Sequence, residues 1–184
     1  MTFYEHAIVG INGALALGLH RRYGWPIVAL AACASILPDW DGLTILLGAS
    51  WYAEGHRVWE HNLLVAGLLA AATAFLFWRF ELITRTRKAM ASRWPMFDVG
   101  HECATGSCRS RFAWVAWIAV GVAAAYVHLL ADFLFSIGRD LPVWEVPLLW
   151  PFSNEGFAYP MVPWGDVGST LILAAGMFAM VRWR

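Results

Sequence analysis

The apolar run from Phe112 to Phe135 constrains this chain more than any other feature. It is longer than the roughly 20 residues that cross a bilayer. Late in that run stand His128 and Asp132, in Tyr126-Val127-His128-Leu129-Leu130-Ala131-Asp132. Residues four apart share a helix face. Ionisable side chains inside a membrane helix are costly and mark a functional site by default. A neutral imidazole and an ionised carboxylate one turn apart suit a divalent metal. The plainer alternative is a His–Asp hydrogen bond that pins a helix bundle, and the pair alone does not separate the two readings.

Composition settles the class. Of the 184 residues 60% are hydrophobic, twelve are Trp, and 14% are charged, against about a quarter charged in a soluble domain. The expected fold is an all-α, polytopic integral membrane helical bundle, a single membrane domain over residues 1–184. The opening Met1-Thr2-Phe3-Tyr4-Glu5-His6 lacks the positive charge that begins a signal peptide, so the first helix is expected to be retained. Cys33 reads as a small core residue. Cys103 and Cys108, near His101, read as reduced cysteines rather than as a zinc site, because three ligands at loose spacing specify little.

About five apolar segments follow: Ala7–Leu19, Trp25–Leu37, Asn62–Trp78, Phe112–Phe135 and Val167–Trp183. The first two are short. If all five span, one side receives eleven of the thirteen Lys and Arg and three of the thirteen acids, a net +8, and the other carries −8. The positive-inside rule makes the first side cytoplasmic. The expected location is the inner (cytoplasmic) membrane, with the C-terminus cytoplasmic and the N-terminus external. The 79–111 loop then reads as a basic cytoplasmic loop, with room for a short helix. Contact with anionic membrane lipid explains its charge without nucleic acid. The oligomeric state is not legible.

On this topology the metal-type residues collect at the external interface. His6 precedes the first segment. Asp39 and Asp41 follow the second, in Leu37-Pro38-Asp39-Trp40-Asp41-Gly42, and His56 and His61 precede the third. His128 and Asp132 lie near the outer end of the fourth. Scattered structural histidines would not gather so. Each piece also has a plain reading: Pro38-Asp39 as a stop signal with Asp41-Gly42 as a turn, and Glu60 or Asn62 as capping residues. His56 and His61 are five apart, about 140° around a regular helix, so they converge only if His56 lies in a loop. The segment matches neither His-Glu-x-x-His nor its inverse, and no P-loop or dinucleotide fingerprint occurs. The Trp- and Pro-rich stretch from Gly138 to Ser153 is either an interfacial loop or a lid that places an amphiphile beside the metal.

These segments, in this order, resemble the membrane-bound metal-dependent hydrolase family of the YdjM type. The matching pieces are Glu5-His6-Ala7, Leu37-Pro38-Asp39-Trp40-Asp41, His56-Arg57 with His61, and His128-Leu129-Leu130-Ala131-Asp132, continuing to Leu149-Trp150-Pro151-Phe152-Ser153. The family's His-Arg-Gly-x-Thr-His-Ser is altered here, with Val58, Glu60 and Asn62 in place of Gly, Thr and Ser. The His and Asp pattern is similar, more loosely, to that of zinc-dependent phospholipases C. The resemblance implies a hydrolase.

The expected function is metal-dependent hydrolysis of a phosphoester or lipid-like ester. The expected metal ligands are His6, Asp39, Asp41, His56, His61, His128 and Asp132. Seven candidates exceed one tetrahedral zinc, so one or two zinc ions are expected, with manganese or iron as alternatives. Arg57 is expected to bind phosphate, and Asp41 or His56 to accept a proton. The rival reading is a non-catalytic metal-binding or transport membrane protein.

Overall fold

In a computed structural model the chain forms an all-helical bundle. The structure describes residues 1–48, 50–51, 60–93, 112–137, 143–163 and 165–183. Its α-helices are α1 (Phe3–Ala16), α2 (Leu19–Tyr23), α3 (Trp25–Ile36), α4 (Leu63–Phe80), α5 (Leu82–Ala91), α6 (Ala113–Leu134) and α7 (Val167–Trp183), with a 3-10 segment over Leu37–Leu47. Three stretches are long and apolar enough to cross a membrane: Trp25–Thr44, α4 and α6. At 14 and 17 residues, α1 and α7 are shorter than that.

The second segment outruns its expected end at Leu37. Pro38 removes one helical donor, but the chain tightens into 3-10 turns and carries Asp39 and Asp41 onward along the helix direction. The first segment starts earlier than expected, so Glu5 and His6 lie inside α1. Glu5 accepts from the Thr2 backbone N–H and hydroxyl, both at 2.9 Å, which secures the first turn. Asn62 caps α4 by accepting from Val65 N–H at 2.8 Å.

In the bundle α1 lies against α3, α3 against α6, and α6 against α4, while α7 leans on α1. Lipid supplies no hydrophobic drive between helices, so close backbone approach through small residues holds them. Ala14, Ala31, Ala34, Ala66, Ala70, Ala74, Ala124 and Ala125 are all buried. A side chain at Gly10 would collide with the Ala31 carbonyl and the Ser35 hydroxyl, and a Cβ at Gly121 would lie 2.9 Å from that of Ala74. No α7 residue is buried; Asn12 Nδ2, which donates to the Leu173 carbonyl at 3.1 Å, and Thr170, which donates to Glu5, hold it to α1.

Residues 143–163 cover one end of the bundle. Val146 is fully buried among Ala66, Ala70, Ala125 and Leu129. It pairs with Phe157 through two backbone hydrogen bonds, while Leu63 N–H donates to Leu148 and Tyr159 N–H to Phe133. At the opposite end α5 turns off α4 through Glu81, whose φ of 52° is left-handed. Ile83 of α5 packs on the core, and Arg85 and Lys88 face outward.

A bulky side chain at the α4–α6 crossing should force the helices apart. Gly121→Leu is expected to cost about 1–3 kcal/mol, read as an earlier thermal unfolding midpoint in detergent. An unchanged midpoint would mean that α4 and α6 do not meet there.

Candidate metal centre

Helix direction brings the centre together. His6 lies in the first turn of α1, and Asp39 just past the last turn of α3. His61 precedes the Asn62 cap of α4, and His128 and Asp132 lie in the last turns of α6. Starts and ends alternate along the chain, so successive long helices run in opposite directions and deliver all five side chains to one end, beneath residues 143–163. His6, His61, His128 and Asp132 are at most 1% exposed and Asp39 is 5% exposed. The centre is therefore sealed by protein.

Four donor atoms form a compact set. His61 Nε2 lies 3.2 Å from Asp39 Oδ1, 3.4 Å from Asp132 Oδ2 and 3.3 Å from His128 Nε2. His128 Nε2 lies 3.5 Å from each of the same two oxygens. Ligand atoms about 2.0–2.2 Å from a tetrahedral zinc lie roughly 3.3–3.6 Å apart. These five spacings match edges of such a tetrahedron, and two imidazoles with two carboxylates are donors of the kind that hold a divalent metal. His6 stands beside this set. Its Nε2 is 3.1 Å from Asp132 Oδ1 and 3.8 Å from Asp39 Oδ2, and its ring stacks on His128 at 3.7 Å. His6, Asp39, His128 and Asp132 each present a donor atom within 4.8 Å of the others, a buried group that can hold a metal ion.

His128 is oriented from behind. Its Nδ1 lies 2.7 Å from the Ser35 carbonyl of α3. A carbonyl only accepts, so Nδ1 carries the proton and Nε2 offers its lone pair to the centre, the usual arrangement for a ligating histidine. Ser35 was not singled out from the sequence, because a backbone carbonyl leaves no residue-type signal. The Met1 ammonium donates to Asp132 Oδ1 at 2.7 Å, another contact without a sequence signature.

On the other face of His61, Nδ1 lies 3.8 Å from Asp41 Oδ2. Burial pulls the His61 ring towards neutrality, but hydrogen bonds to Asp132 and Asp39 outweigh it and raise its pKa to about 9. Glu60, read from sequence as ordinary capping chemistry, does not cap α4; that role falls to Asn62. It is fully buried, and burial together with the Asp41 charge pushes its pKa up to about 7. His56 and Arg57, like Cys103, Cys108 and His101, lie outside the described residues.

Asp132 touches His6, His61 and His128 at once. Asp132→Asn keeps its shape and removes its charge, so the variant should insert normally and fail to retain a divalent metal that the wild type holds, read by elemental analysis of detergent-purified protein. Full metal retention would show that this cluster is not a metal centre.

No curated protein and no solved structure matches the chain. Its sequence does match, from residue 1 to residue 184, the family described as YdjM inner membrane protein. With that match across its whole length, and with membrane-length helices around a buried His/Asp group, the chain belongs to the YdjM family of inner membrane proteins.

Proposed function

We propose that the protein is a membrane-embedded, metal-dependent hydrolase of phosphoesters or lipid-like esters, working at the outer interface of the membrane. The observation that carries this reading is the near-tetrahedral spacing of His61 Nε2, His128 Nε2, Asp39 Oδ1 and Asp132 Oδ2 in a sealed, apolar setting. These four are the proposed zinc ligands. His6, whose Nε2 lies 3.1 Å from the second oxygen of Asp132, either steadies that carboxylate as an N–H donor or offers its lone pair as a further ligand. A bound divalent cation supplies Lewis-acid chemistry, polarising an ester oxygen and easing loss of a proton from water.

The chain's own groups do the rest in this reading. Arg57 pairs with the phosphate in two-point fashion. His56 or Asp41 accepts the proton. Apolar side chains around the covered end favour an amphiphile: Trp40, Leu43, Leu46 and Leu47 from the 3-10 segment, with Leu149 and Phe152 from the covering segment, are exposed. Such residues hold a lipid tail while the head reaches the polar centre. The positive charge at the opposite end supports an external site and a cytoplasmic C-terminus.

The rival is a metal transporter or a purely metal-binding protein. A transport pathway needs ionisable residues near mid-membrane on several helices. Among the described residues the buried acids and histidines lie at one end of the bundle, and the core elsewhere is apolar, with Leu15, Ile27, Leu30 and Trp117 beside the small alanines. That clustering favours a site over a pathway.

Zinc-loaded protein in mixed micelles should release phosphate or headgroup from a panel of phosphoesters and phospholipids, and Asp132→Asn should not. Zinc flux into proteoliposomes without any hydrolysis would replace this reading with transport. A C-terminal reporter should be active in the cytoplasm; an external report would invert the proposed orientation.

Zinc affinity should also depend on pH in a set direction. With His61 near pKa 9, zinc must displace its proton at neutral pH. Affinity should therefore rise about tenfold per pH unit between about pH 6 and 8 from His61 alone. A flat titration would remove His61 from the ligand set.

A further inference from the structure

We propose that the centre holds two divalent cations bridged by Asp39 and Asp132, with His6 as the second ion's own imidazole ligand. This rests on the metal-centre reading above and adds a second ion to it. The observation that carries it is how the two carboxylates divide their oxygens. Asp39 turns Oδ1 to His61 and His128, at 3.2 and 3.5 Å, and Oδ2 to His6, at 3.8 Å. Asp132 turns Oδ2 to His61 and His128, at 3.4 and 3.5 Å, and Oδ1 to His6, at 3.1 Å. Both acids thus face the same two ways. A carboxylate that bridges two ions gives one oxygen to each, and paired ions in such centres stand about 3.5–4 Å apart.

One ion leaves part of this set unused. A tetrahedral zinc on His61 Nε2, His128 Nε2, Asp39 Oδ1 and Asp132 Oδ2 has its four ligands. His6 Nε2, Asp39 Oδ2 and Asp132 Oδ1 remain, and the nitrogen lies within 3.8 Å of both oxygens. The His6 ring stacks on His128, with centroids 3.7 Å and planes 25° apart, so the two rings approach the same carboxylates side by side. His6, Asp39, His128 and Asp132 form a donor group within 4.8 Å. That group shares both acids with the His61 set, and shared carboxylates are what a bridged pair requires.

A positive charge is already seated at the second position. The Met1 ammonium donates to Asp132 Oδ1 at 2.7 Å, and both residues are buried. The oxygen that faces His6 is therefore one that a cation occupies, an observation independent of ligand spacing. The second ion takes the ammonium's place there. Its donors, one imidazole and two carboxylate oxygens, suit zinc or manganese. Three protein ligands also leave it a coordination position, the mark of a catalytic rather than a structural ion. In the hydrolase reading the second ion is thus the one that a phosphoester oxygen reaches.

The test uses full-length protein in detergent, stripped with chelator and reloaded separately with zinc and with Mn2+. Elemental analysis counts the ions, and electron paramagnetic resonance reads the Mn2+ form. Wild type should hold two zinc ions, and its two Mn2+ should give a spin-coupled signal. His6→Gln should hold one zinc and give the signal of an isolated Mn2+. His6→Phe keeps the stacked ring without the lone pair; it should behave alike and guards against a folding defect in the first variant. Wild type that stops at one zinc overturns the second ion and leaves the metal centre standing. Two uncoupled Mn2+, or two zinc ions retained in both His6 variants, overturn the bridged arrangement. Wild type that binds neither metal overturns both readings.

Discussion

Five ionisable side chains packed together at one end of an apolar bundle impose the constraint on which the remaining structure depends. The cluster is buried from bulk solvent, so each polar atom needs a partner within the protein or a bound species. His128 is met by the Ser35 carbonyl, Asp132 by the Met1 ammonium and His6, and Asp39 by His61. These contacts join α1, α3, α4 and α6 at one point. The helices cannot slide or rotate independently without stranding a charged group. The centre is thus a structural clamp as well as a candidate for chemistry.

The rest of the bundle serves that clamp by allowing close approach. Gly10 lets α1 meet α3 beside Ser35, and Gly121 lets α6 meet Ala70 and Ala74 of α4. The Ser35 carbonyl can reach His128 only because α3 and α6 come this near. Above the centre, Val146 plugs the space between α4 and α6, and its pairing with Phe157 keeps the covering segment in place. Small residues within the membrane and a large buried one at its edge are two answers to the same packing problem.

Asymmetry between the two faces of His61 gives the site its chemical potential. Nε2 faces an imidazole and two carboxylates, and Nδ1 faces Asp41. A single ring therefore separates two environments of different hardness.

Much of this was legible in the residues. The membrane class followed from composition, and the apolar runs predicted α4, α6 and α7 to within two residues of their ends, because length and hydropathy alone decide a membrane helix. The antiparallel order of the runs also brought His6, Asp39, His61, His128 and Asp132 to one interface, since each lies at a segment end. Tertiary structure decided the remainder. Pro38-Asp39 is open to reading as a stop signal, and the second apolar run is expected to end at Leu37; instead the chain continues through 3-10 turns over Leu37–Leu47, which need no i→i−4 bond from Pro38. Glu60 read as a cap and is a buried acid, because capping depends on a backbone turn that Asn62 occupies. The tautomer of His128 and the two faces of His61 depend on a backbone carbonyl and on side chains far apart in the chain. Sequence specified which side chains are available and at which end they emerge; only the packed helices determine which atom faces which.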